Sequence, residues 1–389
     1  MSSQRVSWFL GSAGFLLLIT GIHIQQDLPW TGAYPVEDGV YRYTGVIHVH
    51  SRYSDGSGTI EDIADAADKA SIDFVILTDH STMQPALDGN AGYYENALVI
   101  IGEEVNTSAG HLVALGVGRH VEQHGQDGLA ALLDTIRTSG GMNIIAHPFG
   151  RRPWEDWSLE SINGLEILNA DSEWRNDDLW EWFRALLWYP LFPQAALNSL
   201  VDRPEQSLNQ LDLLSQRGHT VAIGSADAHA RIPLWGDGFI PFPPYYTIFG
   251  WLRTYVNTDA PLSGDARADT EIILKAIQEG RCYTVVEGYG PSTNFSFKYV
   301  SSDTTVAMGG RTRFDSEGAL QVTVRMPGEV TIRLFKNGLP AIEVNRQEAH
   351  FPVEGPGVYR VEVSQSRRYL PTFDAQPRPW IFSNPIWVE

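Results

Sequence analysis

The sequence predicts an α/β chain, a mainly parallel sheet covered on both faces by helices and open or closed into a barrel, followed by a small antiparallel β-sandwich. Three observations predict it. Short, wholly apolar runs alternate with amphipathic helical patterns from Gly45 onward. Most of those runs end in His, Asp or Glu, and the carboxyl ends of parallel strands are where barrel active sites are built. From about Phe295 the apolar period changes to two, the signature of half-buried antiparallel strands.

The strand-like runs are "GVIHVH", "DFVILTDH", "ALVIIGEE", "HLVALGV", "MNIIAHP", "GLEILN" and "TVAIGSADAH". Residues 59–71 and 128–140 carry apolar positions at helical spacing with one polar face. Residues 169–218 break the alternation with "SEWRNDDLWEWFRALLWYPLFPQAALNSL", an inserted helical region whose aromatics are read as packing or as a wall of the site. After Ala230, the aromatic and proline-rich "IPLWGDGFIPFPPYYTIFGW" reads as a loop at the mouth of the site. Residues 270–285 read as a helix stopped at Gly280, then a short strand. "LQVTVRM", "VTIRLFKNG", "YRVEVS" and "PIWVE" alternate as antiparallel strands, with a turn at Asn337–Gly338. The expected organisation is an amino-terminal segment 1–27, an α/β domain 28–290 with the insertion at about 170–218, and a β domain 291–389.

Composition narrows the function classes. Of 389 residues, 47 are Asp or Glu and 28 are Lys or Arg, a net charge of -19. Such a field repels long nucleic acids but admits a small anionic substrate where a bound cation inverts it locally. One cysteine, Cys282, excludes an intrachain disulfide framework and a cysteine-rich zinc site. The uncharged run from Val6 to Ile24 follows Arg5 and is long enough to span a bilayer. We read it as a signal or, lacking a small-x-small cleavage site, an uncleaved anchor that places the rest outside the cytoplasm.

Chemistry concentrates at the strand ends. His48 and His50 are two apart on a strand and are expected to share a face, as are Asp227 and His229. Imidazole pairs of this kind suit Zn, Mn or Fe. Asp55, His80, Glu104, His111 and His147 fall at the ends of other predicted strands or in the loops after them. Nine such donors gathered by one fold point to a cluster of divalent ions. Glu103 competes with Glu104 for one ligand position.

In these motifs the chain resembles the polymerase-and-histidinol-phosphatase (PHP) superfamily of metal-dependent phosphoesterases. "HVHSRYSDG", "LTDH", "GEEVNT", "GHL", "AHP" and "SADAH" carry the resemblance, which spans Val46 to His229. It implies a distorted seven-stranded (βα) barrel holding two or three divalent ions. By motif, His48, His50, Glu104 and Asp227 would hold one ion. Glu104 would bridge to a second held by His111 and His147, and Asp55, His80 and His229 would hold a third. The family's Gly-x-Glu spacing selects Glu104 over Glu103.

The activity implied is phosphoester hydrolysis by a metal-activated hydroxide, with His48, His50, Glu104 and Asp227 acting through bound metal. "AIQEGRCYTV", "GVYRVEV" and "PWIFSNPIWV" add a looser resemblance to carbaryl-hydrolase-type metallohydrolases, which makes a carboxylic or carbamic ester or amide the alternative substrate. A non-catalytic cell-surface binding protein is the alternative of another class. Arg151, Arg152 and Arg231 directly follow ligand motifs and are candidates to bind substrate anions, or else form a solvated rim. Asp79 either orients a ligand histidine or caps a local turn. His23, His120, His124, His219 and His350 match no motif. The expected partner is a small anionic molecule, with no nucleic acid and with the membrane engaged through the amino-terminal run.

Overall fold

The computed structural model describes residues 12, 14–19, 40–125, 128–176, 178–235, 238–292, 294–326, 328–366 and 377–389. Most of the apolar run 6–24 lies outside them, so the anchor expected there does too. Among the described residues no helix is long and apolar enough to cross a membrane.

The chain is mixed α/β with several sheets. Each of the seven expected strands forms. They are β1 (Tyr41–Val49), β2 (Phe74–Leu77), β4 (Ala97–Ile101) running on into β5 (Glu103–Thr107), β6 (Gly110–Leu115), β7 (Met142–Ile145), β8 (Gly164–Asn169) and β9 (Val221–Ser225), with a short β3 (Gly92–Tyr94) beside β4. β1, β2 and β4 are parallel neighbours in a twelve-stranded sheet, and β5 to β9 form a second sheet in sequence order. The parallel expectation holds for β7, β8 and β9 but not for β6, which runs antiparallel to both neighbours. Only Ser108 and Ala109 separate β5 from β6, too few residues for a crossover, so a hairpin is forced. A fully buried strand is apolar on both faces in either direction, so its composition does not report its direction.

Hydrogen-bonded ladders do not close these strands into one barrel; they remain two sheets that touch at both margins. On one side Ala226 N–H donates to Ile47 O and His50 N–H to Ala228 O; on the other, Gly102 N–H donates to Leu77 O and Ser81 N–H to Glu104 O. These contacts bring the carboxyl ends of β1, β2 and β9 and the amino end of β5 to one place.

The helices fall where apolar spacing puts them. Ile60–Lys69 buries Ile60, Ile63, Ala64, Ala66 and Ala67, and starts at a capping box between Thr59 and Asp62. Leu129–Thr138 buries Leu129, Leu132, Leu133 and Ile136. The insertion contains helices Ala170–Asn176, Leu179–Trp188, Pro193–Asn198 and Glu205–Arg217. Within it Trp182, Trp188 and Tyr189 pack on Ala185, Ala195, Ala196 and Leu200, whereas Leu179, Trp180, Phe183 and Leu186 stay exposed. The segment after Ala230 is more ordered than a loop: β10 (Ile232–Pro233) pairs with β11 (Phe239–Ile240), and Tyr245–Phe249 is helical.

Beyond β9, β12 (Arg253–Thr258) pairs antiparallel with β1, and β13 (Cys282–Val285) with β12. The carboxyl-terminal strands alternate as their period requires. β14 (Ser296–Val300), β15 (Thr305–Ala307), β17 (Ala319–Thr323) and β20 (Glu348–Pro352) make a four-stranded antiparallel sheet. β16 (Arg311–Thr312), β18 (Glu329–Lys336), β19 (Leu339–Val344), β21 (Gly357–Ser366), β22 (Arg378–Ser383) and β23 (Ile386–Val388) do not stand apart from the α/β portion. β22 pairs with β13, so one sheet runs from β3 through β1 into the carboxyl-terminal strands.

Candidate metal centre

The convergence of strand ends places all nine expected donors in one cluster around Glu104. Its Oε2 lies 3.1 Å from His48 Nε2, 3.3 Å from His50 Nε2 and 3.1 Å from His80 Nδ1. Its Oε1 lies 2.6 Å from His111 Nδ1 and 3.1 Å from His147 Nε2. Asp227 Oδ1 is 3.5 Å from His48 Nε2 and 3.3 Å from His50 Nε2, and Asp55 Oδ1 is 3.3 Å from His229 Nε2. Among the described residues, three sets of donor atoms are close enough to share an ion: His50, Asp55, His80 and His229; His48, His50 and Glu104; and His80, Glu104 and His111. His50 and His80 thus each belong to two sets, a more shared arrangement than the motif assignment implies.

Local geometry departs from a simple strand. The β1–β2 register shifts between Ile47 and Val49, and His48 adopts φ of 67°. β1 ends at Val49 and β9 at Ser225, so His50, Asp227 and His229 lie past the strand ends and strand alternation does not explain their shared direction. The loop 51–58 is instead tied in place. Ser51 N–H and Oγ–H donate to Asp79 at 2.8 and 2.7 Å, and Ser54 Oγ–H donates to Asp79 at 2.6 Å. Asp79 is therefore the anchor of the ligand-bearing loop, and it reaches a ligand histidine only through Ser54, whose Oγ lies 3.4 Å from His50 Nδ1. Gly56 is required by close approach, since a Cβ there would sit 2.1 Å from His50 O. Tyr245 Oη lies 2.8 Å from His50 O and 3.1 Å from His229 O, and accepts from Ser57 and Gly58 N–H.

Glu103 and Glu104 separate as strand neighbours must. Glu104 points into the cluster, while Glu103 accepts from Val121 N–H at 2.6 Å and pairs with His120 at 2.7 Å. His120 is thus the partner of the rival carboxylate. Sequence reasoning missed Glu166, a buried carboxylate whose Oε1 lies 2.6 Å from His48 Nδ1, and Asn169, which donates to Glu166 at 2.8 Å. Their only signal was their place at the end of an otherwise apolar strand, "GLEILN".

The arginines sit at the rim. Arg152 Nη1 is 3.2 Å from His111 Nε2, Arg231 donates to Asp55 O at 3.2 Å and lies over the Phe239 ring, and Arg151 is exposed. A cavity of about 590 Å³ adjoins the cluster, lined by His147, Glu166, Asn169, Glu173, Glu181 and Arg203 among others.

The electrostatics are those of an anionic pit. Burial alone would raise the Glu104 carboxyl, but His48, His111 and His147 hold it well below the usual range. Asp227 is likewise held low against burial, chiefly by the charge of His48 and by His50, whose Nε2 lies 3.3 Å from Asp227 Oδ1. Against the opposing effect of burial, nearby carboxylates push His147 and His229 up to about 9. Burial takes His80 down to about 4.

These residues fit divalent ions. His48 Nε2, His50 Nε2 and His80 Nδ1 are buried without a hydrogen-bond partner, although carboxylate oxygens surround them. Buried polar atoms are normally satisfied, and imidazole nitrogens that face carboxylates without bonding them suit a cation between the two.

Comparison with known proteins agrees with this reading. Residues 47–144 match the family model described as PHP domain, and the chain contains a PHP domain. It is accordingly an enzyme of the hydrolase class. No curated protein matches the chain. Among solved structures, a two-domain protein from Bacteroides vulgatus containing a predicted PHP-like metal-dependent phosphoesterase is 13% identical, with a TM-score of 0.44 over 90% of this chain and 98% of that one. A candidate metal-dependent phosphoesterase from Bifidobacterium adolescentis is 14% identical, with a TM-score of 0.30 over 50% of this chain and 88% of that one. An amidohydrolase from Chromobacterium violaceum with bound sulfate and no metal is 15% identical, with a TM-score of 0.31 over 52% and 92%. At these scores the likenesses carry no conclusion about chemistry.

Proposed function

We propose that the chain hydrolyses a phosphoester at a centre of two or three divalent ions held by His48, His50, Asp55, His80, Glu104, His111, His147, Asp227 and His229. The observation that carries this reading is the set of buried imidazole nitrogens, His48 Nε2, His50 Nε2 and His80 Nδ1, that lack any hydrogen bond amid carboxylates. Glu104 is placed to serve more than one ion, with Oε1 facing His111 and His147 and Oε2 facing His48, His50 and His80. When bound, divalent ions supply Lewis acidity and make water a competent nucleophile near neutral pH. The protein's own part is to hold the donors, exclude bulk water from His48 and His50, and present cations at the rim. Arg152 and Arg231 are our candidates to meet the substrate's anionic oxygens, as paired guanidinium donors suit phosphate; Arg151 is exposed.

We read the margin contacts between the two sheets as the seam of the distorted seven-stranded barrel, and the two carboxyl-terminal layers as the β-sandwich, with a boundary near 290–294. A panel of aryl phosphates, aryl esters and aryl carbamates assayed with metal-loaded protein tests the substrate class. Hydrolysis of phosphates is the expected result. Turnover of esters or carbamates with none of phosphates would replace this reading with the ester or amide hydrolase alternative.

A further inference from the structure

We propose that Glu166 and Asn169 form a positioning clamp that holds His48, His147 and Asp227 in metal-ready conformations. The inference rests on the metal reading above. Both residues lie near the end of β8 and both are buried. Three residues apart on a regular strand they would face opposite sides, but the β8–β9 register shifts between Glu166 and Leu168. The irregularity resets the alternation, so both side chains reach the same cluster.

The bonds made from there end on three strand ends. Glu166 Oε1 lies 2.6 Å from His48 Nδ1, and Oε2 accepts from His147 N–H at 2.7 Å and from Asn169 Nδ2 at 2.8 Å. Asn169 Nδ2 also lies 3.2 Å from Asp227 Oδ2 and 3.1 Å from Ser225 Oγ. A carboxylate at Nδ1 fixes that nitrogen as the donor, which leaves the lone pair of His48 on Nε2, the nitrogen that faces Glu104 and Asp227.

The same three donors share an unfavourable backbone. His48, His147 and Asp227 have φ of 67°, 28° and 45°, a region that residues with a Cβ adopt only under constraint. Glu166 and Asn169 supply that constraint. The other face of the cluster is held differently: Tyr245 bonds the carbonyls of His50 and His229, and Asp79 anchors the loop that carries Asp55. The clamp therefore acts on the donors His48, Asp227 and His147, which serve the two ions on the Glu104 side, and not on Asp55, His80 and His229, which would hold the third.

Calorimetric titration of the metal-free full chain with Mn²⁺ tests this, using Glu166→Gln and Asn169→Ala, with Asp55→Ala to mark the unclamped site. Glu166→Gln is expected to raise the dissociation constant of one class of site about 10–100-fold and to leave the site lost in Asp55→Ala as it is in the wild type. Asn169→Ala is expected to weaken the same clamped site roughly tenfold, and it decides the matter if Glu166→Gln does not fold. Wild-type affinities in both variants would overturn the clamp, as would equal weakening of every site together with a lower Tm of the metal-free protein. A wild-type chain that binds no Mn²⁺ would overturn the metal reading itself.

Discussion

His50 illustrates the residue scale. Its imidazole is fully buried and its Nε2 has no hydrogen bond, an arrangement that costs free energy in the metal-free protein. Removing it loses the ring's packing and a 3.4 Å contact of Nδ1 with Ser54 but no hydrogen bond of Nε2, so the fold should persist. His50→Ala is expected to reduce hydrolysis by at least ~100-fold, more than the loss of an outer-shell partner costs, with an unchanged far-UV circular dichroism spectrum. Activity within tenfold of wild type would remove His50 from the centre. The nine donors were legible because imidazole and carboxylate at the ends of apolar runs have few structural explanations. Glu166 was not, because a single carboxylate in "GLEILN" looks like any strand-end acid until His48 and His147 are seen around it. Sequence leaves Asp79 either orienting a ligand histidine or capping a local turn, and its bonds instead run to Ser51 and Ser54 in a loop distant in sequence.

At the scale of elements, the join between the helix Glu205–Arg217 and the carboxyl-terminal strands is a buried ion network. Arg360 donates to both carboxylate oxygens of Asp212 at 2.6 Å, and Arg203 donates to both oxygens of Glu362 at 2.7 Å. Arg203 also lines the cavity beside the cluster, so this network sets one of its walls. Burial would raise the Glu362 carboxyl, but the hydrogen bond from Arg203 and the charge of Arg360 hold it below 4.5. A carboxylate depressed in the folded state contributes stability that is present above its unfolded value and is lost as pH falls through the folded one. Glu362→Gln leaves the buried Arg360 guanidinium and the half-buried Arg203 guanidinium short of a partner and is expected to cost about 3 kcal/mol near neutral pH, the low end for breaking a buried pair. The deficit should begin to shrink as pH falls below ~4.5 and fade as it passes the lower folded value, where the wild type loses the same charge. Urea unfolding of both proteins across that range checks it; an equal deficit at pH 7 and below pH ~4 would show that the charge of Glu362 is not what matters.

Element existence was largely readable from period, and direction was not. β6 reads as apolar as the parallel strands β7, β8 and β9, and only the two-residue link after β5 betrays its reversal. The segment after Ala230 looked like a loop because prolines and aromatics dominate it, yet Pro244 begins a short helix whose Tyr245 pins two ligand carbonyls.

Over the whole molecule, the acidic balance and the cluster belong to one electrostatic scheme. A net charge of -19 would expel an anionic substrate from any site that lacked a strong local cation. The buried carboxylates Glu104, Asp227 and Glu166 deepen that field at the cluster. Bound divalent ions would reverse it there, and Arg152 and Arg231 would extend the reversed field to the rim. The continuous sheet from β3 through β13 into β22 also means that the carboxyl-terminal strands share the frame that carries β1 and its two histidines. Sequence period located the change of architecture near Phe295 but could not reveal this continuity, because strand pairing between distant segments leaves no local mark.

The most direct test of the account is a crystal of the chain grown with Mn²⁺ and measured above and below the manganese absorption edge. At least two anomalous peaks are predicted among His48, His50, Asp55, His80, Glu104, His111, His147, Asp227 and His229. A fully ordered cluster with no anomalous peak would contradict the account.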